Sequence, residues 1–307
     1  MIGIQAIASY IPGSTESNLD KLDLFAISET FIHEKIGVIN KRQKPHDEDT
    51  SDMCVKAYRN LEAKVPGIGQ ELDCMAICTQ NPDGHGLPHA SAILHGKLGL
   101  KENIAAFDIS LGCSGFVYGL SLLTSFMEAN GMNNGILFTA DPYSKVVDRT
   151  DKDTSLLFGD AAAATLLSRS PVFTIERSVF ATRGKDHHRL ICNNNHLHMD
   201  GRAIFNFTAT AVPLQVRNLL SLSGYHVDDI DLFIFHQGSK FIVDTITKRL
   251  NIDRKRVPSN LENLGNTVSS SIPILFEQYL DQYQYRLVVI SGFGVGLSWA
   301  TSILNRN

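Results

Sequence analysis

An apolar, strand-prone run, Phe107-Asp108-Ile109-Ser110-Leu111, ends abruptly at Gly112-Cys113-Ser114-Gly115, and a long amphipathic helical pattern follows from Phe116 to Asn130. A strand that turns into a helix through two glycines and a serine has few backbone paths open to it. The turn puts Cys113 at the start of the helix, where backbone N–H groups and the helix dipole favour a thiolate. Small neighbours let a carbonyl approach the sulfur. A cysteine presented this way points to nucleophilic acyl transfer. A lone cysteine more often only fills core space, so the reading depends on partners elsewhere in the chain.

Two downstream segments supply them. In Asp231-Leu232-Phe233-Ile234-Phe235-His236-Gln237-Gly238-Ser239 an apolar strand runs straight into His236, and a helical pattern follows. In Asn260-Leu261-Glu262-Asn263-Leu264-Gly265-Asn266-Thr267-Val268-Ser269-Ser270-Ser271-Ile272-Pro273, Asn266 lies in a Gly/Ser-rich loop that enters another helix. Side chains at the ends of elements can converge from distant parts of a chain. A Cys, a His and an Asn placed so supply a nucleophile, a base and an orienting or oxyanion-binding amide.

With these positions in hand, the chain resembles a β-ketoacyl-acyl-carrier-protein synthase III, within the thiolase-like superfamily. The resemblance runs along nearly the whole chain. It rests on Gly112-Cys113-Ser114-Gly115-Phe116, Phe158-Gly159-Asp160-Ala161-Ala162-Ala163, His236-Gln237, Gly265-Asn266-Thr267 with Ser271-Ile272-Pro273, and Gly292-Phe293-Gly294-Val295-Gly296-Leu297-Ser298-Trp299. Order and spacing agree across the set. The resemblance implies an α/β chain with a thiolase-like five-layered αβαβα fold made of two duplicated halves. Residues 1–170 would carry the nucleophilic Cys113, and residues 171–307 His236 and Asn266. The join is expected near Ser168–Pro171, where Arg-Ser-Pro interrupts the pattern.

Periodicity fills in the elements. Strand-like runs at Leu72–Thr79, Ile104–Ile109, Ile136–Ala140 and Ala161–Leu167 alternate with helical patterns, which predicts βαβ units and a largely parallel sheet. In the second half, strands are predicted at Val172–Phe180, Leu232–Phe235, Leu287–Gly292 and Leu297–Leu304. Helices are predicted at Phe207–Leu222, Lys240–Leu250 and Thr267–Tyr279. The N-terminal Met1–Pro12 reads as a first strand and lacks the basic start of a signal peptide. No apolar run reaches the length of a membrane span. A net charge of −4 gives no global pull toward nucleic acid or anionic membrane. Five cysteines without paired spacing suit a reducing cytoplasm. Cys74 and Cys78 read as core. The histidines of His187-His188 and His196-Leu197-His198 sit in a polar, Asn-rich stretch and read as solvated loop, so no metal is expected.

The resemblance also implies a chemistry. Cys113 would take an acyl group from a thioester. A malonyl-type thioester would then lose carbon dioxide and condense with that acyl group. His236 and Asn266 would donate hydrogen bonds to the enolate oxygen, and such donors are worth about 2.7–4 kcal/mol each. The backbone N–H groups of Cys113 and Val295 would hold the acyl oxyanion. The helix start and a nearby His236 would raise the thiolate fraction of Cys113. No cofactor is expected; acyl-CoA or acyl carrier protein thioesters enter as substrates.

Departures from the family pattern concern substrate. Phe31 and Lys152 stand where a Trp and an Arg clamp adenine, and Lys35 replaces a phosphate-facing Arg. Phe stacks over a smaller face, and Lys lacks the planar guanidinium. Phe205 is a further candidate substrate contact. Lys240 precedes Phe241, which replaces an Arg that helps dock the carrier. Lys240, Lys248, Arg249, Arg254, Lys255 and Arg256 face only Asp244 and Asp253 in their stretch. That basic patch suits an acidic carrier protein, and equally a solvated helix end. Leu87 aligns with a residue that closes the partner subunit's acyl pocket in related homodimers, and Tyr143 would refill space from the other side. Two alternatives to condensation stay open: acyl transfer to a hydroxyl or amine on the same fold, and a non-catalytic partner subunit.

Overall fold

A computed structural model describes residues 1–307. Nine strands form one continuous mixed sheet that divides into a first sheet in the N-terminal half and a second in the C-terminal half. They are β1 (Gly3–Tyr10), β2 (Cys74–Cys78), β3 (Ala105–Ile109), β4 (Asn134–Ala140), β5 (Ala162–Ser168), β6 (Phe173–Thr182), β7 (Leu232–Phe235), β8 (Leu287–Gly294) and β9 (Ser298–Arg306). Their spatial order is β7-β8-β9-β6-β1-β5-β4-β2-β3. The two halves join through β1 and β6, which pair at Gly3↔Thr174 and Ile4↔Phe173. Counted within its own half, the first set runs third, second, fourth, fifth, first. The second set repeats this order without the third strand, so the duplication implied by the motifs is written in the topology.

The expectation of a largely parallel sheet does not hold. Three strand pairs are parallel and five antiparallel. The cause is the last strand of each half. β9 follows β8 through a tight turn and β5 returns beside β4, and both run antiparallel to the strand before. Alternation of strand and helix does not reveal such a return.

Six helices matter here: α1 (Thr50–Lys64), α2 (Ala90–Leu98), α3 (Gly115–Ala129), α4 (Gly201–Ser223), α5 (Lys240–Leu250) and α6 (Ser271–Glu277). α1 starts at a capping box. The Asp49 carboxylate accepts the Thr50 N–H at 2.8 Å, and Asp52 accepts the Asp49 N–H at 3.0 Å. α1 and α2 cover the outer face of the first sheet through Met53, Ala57, Leu61, Ala90 and Leu94. α4 and α5 cover the outer face of the second through Val212, Val216, Val243 and Ile246. α3 and α6 lie between, and each touches strands of both sheets. That gives the five layers.

α3 suits its central place. Phe116, Val117, Leu120, Leu123 and Met127 are buried, and no charge appears before Glu128. α4 begins six residues before the predicted Phe207, because Asp200 caps it by accepting the Ala203 N–H at 2.9 Å. It also tolerates Pro213 within its length. The predicted Thr267–Tyr279 helix is divided. Val268 has φ +52°, a left-handed conformation that a β-branched residue rarely takes, a short 3₁₀ turn follows, and only Ser271–Glu277 is α-helical.

One contact ties the halves together at the site. Gly159 donates its N–H to the Asn266 carbonyl at 3.1 Å, and the Asn266 N–H donates to Leu157 at 2.8 Å. A Cβ on Gly159 would overlap the Leu264 carbonyl. Gly159→Ala is expected to destabilise the protein by about 1–3 kcal/mol through overpacking. Urea denaturation checks this, and an unchanged midpoint would mean the contact is loose.

Candidate active site

The three residues singled out by sequence line a single cavity of about 200 Å³. Cys113 stands two residues before α3 and is 3 % exposed; His236 follows β7 and is 1 % exposed; Asn266 is 4 % exposed. Apolar walls come from Leu157, Phe158, Leu190, Ile204 and Phe293. Phe293 meets the His236 ring edge to face at 5.5 Å.

β8 approaches the sulfur closely. A Cβ on Gly294 would stand 2.7 Å from Cys113 Sγ, so no other residue fits there. Just beyond it, the Val295 N–H and the Cys113 N–H both point at the sulfur. These are the two backbone donors expected for an acyl oxyanion. Val295 presents its N–H without a positive φ.

Electrostatics depart from expectation. Burial pushes the Cys113 thiol up to about 12; the two N–H groups pull it back, and Asp141 adds to the rise. The helix start does not produce a resting thiolate, because removing the sulfur from water outweighs it. Burial likewise pushes His236 down to about 3. The histidine is a neutral imidazole and makes no ion pair with Cys113. Its Nδ1 lies 2.7 Å from the Ser271 hydroxyl. Asn266 Oδ1 accepts the Val268 N–H at 2.9 Å, which leaves the amide nitrogen as the free donor.

Of the candidate substrate contacts, Phe31, Lys35, Lys152 and Phe205 line the cavity. Phe205 stacks on Phe241 at 4.8 Å and 19°, and Lys35 Nζ sits 4.1 Å above the Phe241 ring. Three others do not line it. Lys240 turns away to pair with Asp244 at 2.7 Å. Tyr143 is buried behind the cavity, tilted against Phe158 at 4.8 Å. Leu87 is 92 % exposed, on a loop beside β3. The basic patch is partly committed. Arg254 faces Asp244, and Arg256 donates to the Val227 and Ile230 carbonyls and faces Asp228. Sequence reasoning noticed Phe241 only as a missing Arg, and its partnership with Phe205 had no sequence signal. Gly294 was visible within its motif but not as the neighbour of the sulfur.

Cys74 and Cys78 are fully buried core residues, and all five cysteines are free thiols. His187 and His188 meet edge to face in a surface turn. No helix is long and apolar enough to cross a membrane.

A two-fold repeated sheet, with a cysteine at the head of the central helix and its partners from the other half, is the thiolase-like class. Comparison with known proteins narrows it. The family model for 3-oxoacyl-[acyl-carrier-protein] synthase III matches residues 107–184, and the model of its C-terminal part matches residues 220–306. The β-ketoacyl-[acyl-carrier-protein] synthase III of Streptococcus sanguinis is 33 % identical over 98 % of both chains. The crystal structure of the Thermus thermophilus synthase III superposes with a TM-score of 0.92 at 28 % identity, covering 99 % of each chain. The priming β-ketosynthase of the R1128 polyketide pathway superposes at 0.90 with 26 % identity, covering 100 % of this chain and 96 % of that one. The chain belongs to the β-ketoacyl-[acyl-carrier-protein] synthase III family.

Because burial holds the thiol near 12, its thiolate fraction should climb about tenfold per pH unit. Alkylation of Cys113 by iodoacetamide, followed by peptide mass spectrometry, should therefore accelerate without levelling from neutral to alkaline pH. A plateau near pH 7 would mean a standing thiolate.

Proposed function

We propose that this protein is a decarboxylative Claisen condensing enzyme of acyl-chain biosynthesis. The observation that carries the reading is the convergence of Cys113, His236 and Asn266 on one apolar cavity. In the first half-reaction the Cys113 sulfur attacks a thioester carbonyl. The bond from that carbon to the donor sulfur breaks, and the donor leaves as a thiol carrying the cysteine's proton. The Cys113 and Val295 N–H groups receive the negative oxygen. In the second, a malonyl-type thioester loses carbon dioxide, and its enolate carbon attacks the acyl-cysteine. The Cys113 thiol is regenerated by a proton from solvent. His236 and Asn266 donate to the enolate oxygen. A neutral imidazole suits this task, since its N–H needs no charge to donate.

The donor enters past Phe31, Lys35, Lys152 and Phe205. Lysines beside a stacked phenylalanine pair favour a phosphate-ended pantetheine arm, whether on CoA or on a carrier protein. Lys248, Arg249 and Lys255 would then meet the acidic carrier. Free thiols throughout suit the cytoplasm.

We further propose a homodimer through β3. This strand is at one end of the sheet and half-buried. A stripe of apolar side chains continues from it: Phe107 contacts Phe126, Leu122 and Tyr118 follow at four-residue steps along α3, and Tyr118 contacts Phe180. Leu122 and Phe180 are exposed in the single chain. The Leu87 loop is tied to the same edge, because Asp108 accepts the Ala90 and Ser91 N–H groups at 2.7 and 2.9 Å. A two-fold axis there would carry Leu87 toward the partner's pocket.

Cys113→Ala should abolish the acyl adduct in intact-mass spectra of protein offered acyl-CoA and acyl-carrier donors, with the fold retained. His236→Ala and Asn266→Ala should lose malonyl decarboxylation far more than acyl transfer. Acylation of wild type without any decarboxylation would favour simple acyl transfer instead.

Leu87→Ala should lengthen the preferred acyl chain and Leu87→Phe shorten it. One methylene is worth about 0.8 kcal/mol, so the change is several-fold per carbon at most. Acylation profiles and sedimentation mass test this together. A monomer, or three matching profiles, would remove the shared pocket.

A further inference from the structure

Every aromatic ring that lines the cavity, except Phe31, already has a ring partner. Phe158 leans on Tyr143, Phe293 meets His236, and Phe205 stacks on Phe241. Phe241 is doubly engaged, since Lys35 Nζ also sits 4.1 Å from its centroid. A purine laid on Phe31 would find no second free ring to close over it, and stacking is what holds a base without hydrogen-bond readout. Cations are equally sparse. Lys35 and Lys152 are the only ones on the lining, and Asp153 stands beside them. Neither lysine has a carboxylate within ion-pair distance, whereas Lys240 pairs with Asp244. No arginine lines the cavity, so no planar fork is present for further phosphates. The segments that carry the two lysines are acidic overall. Glu29 and Glu34 flank Lys35, and Asp148, Asp151 and Asp153 flank Arg149 and Lys152.

We infer that the donor site ends at a single phosphate: it holds a phosphopantetheine arm, gives the nucleotide of CoA no seat, and so makes an acyl carrier protein the better donor. Both donors share the arm and its first phosphate. CoA continues with a second phosphate, a phosphorylated ribose and adenine. The flanking carboxylates oppose that added negative charge, and the lining offers it neither a cation nor a ring pair. A carrier continues instead with a folded acidic surface, and α5 suits it. Phe241 stands in the first turn of α5, at the mouth, and Arg249 lies near its other end, about 12 Å along the axis. Lys248 and Lys255 accompany it, and Arg217 adds its charge by donating to the Arg249 carbonyl. The nearest carboxylate on α5, Asp244, is already shared by Lys240 and Arg254.

Loading from a carrier presupposes the acyl transfer proposed above; the reach of the donor site does not. Calorimetric titration with the unreactive S-ethyl thioethers of pantetheine, 4′-phosphopantetheine and CoA measures that reach without chemistry. The phosphate should tighten binding about tenfold, the order of a hydrogen bond to a charged group. The nucleotide should change it by less than about threefold, the scale of an exposed ion pair. Lys35→Ala combined with Lys152→Ala should weaken the phosphopantetheine and CoA thioethers to the same degree. Intact-mass kinetics of Cys113 acylation, with one butyryl group on either donor, should run at least about tenfold faster from carrier than from CoA at low salt, and that lead should shrink as salt screens the patch. Lys248→Glu combined with Arg249→Glu should erase it. A CoA thioether bound more than about threefold tighter than its phosphopantetheine counterpart, a phosphate that adds nothing, or CoA loading Cys113 as fast as the carrier would overturn the inference. Thioethers that bind in the expected order to a protein that no donor acylates would uphold the single-phosphate site and overturn the acyl-transfer reaction instead.

Discussion

The seating of Cys113 against β8 is the constraint on which the rest depends. α3 rises from β3 in the first half, and β8 belongs to the second. The two meet where a Cβ on Gly294 would stand 2.7 Å from the sulfur. That approach brings the Val295 N–H onto the sulfur and closes one wall of the cavity. Neither half holds a complete site. Cys113 comes from one, and His236, Asn266 and the Val295 N–H come from the other. Packing of α3 and α6 between the sheets is therefore as much a requirement for chemistry as for stability.

Burial sets the chemical character of the site. A thiol near 12 and an imidazole near 3 are both neutral at physiological pH. No ion pair is present to create a thiolate–imidazolium couple. The site instead holds N–H groups fixed in direction, at Cys113, Val295 and Asn266, around a space lined by carbon. Such donors need no reorganisation when charge develops on a substrate oxygen, and low polarity makes each of them stronger.

Much of this was legible in the sequence, for physical reasons. β7 and α5 fall where predicted, because an apolar run ends at His236 and Ser239 caps the helix that follows. The triad was readable because each member sits at the end of a periodic segment. What escaped was non-local or conformational. Periodicity could not show that β5 and β9 return antiparallel. It gave no sign that Val268 would break a helical pattern at φ +52°. The placement of Cys113 at a helix start favoured a thiolate, whereas the degree of burial, which only packing determines, reverses that. Tyr143 and Lys240 were placed by correspondence of position, and the fold turns both from the cavity.

The ends of the nine-stranded sheet are unequal. β7 is four residues long and wholly buried, while β3 is a half-buried strand with one free row of backbone groups. A sheet with both rims open can recruit copies without limit, which is how edges seed fibres. Here growth has a single port. In the proposed dimer, two chains joined antiparallel across it would each have spent the only rim they had, and the assembly would have no way to lengthen.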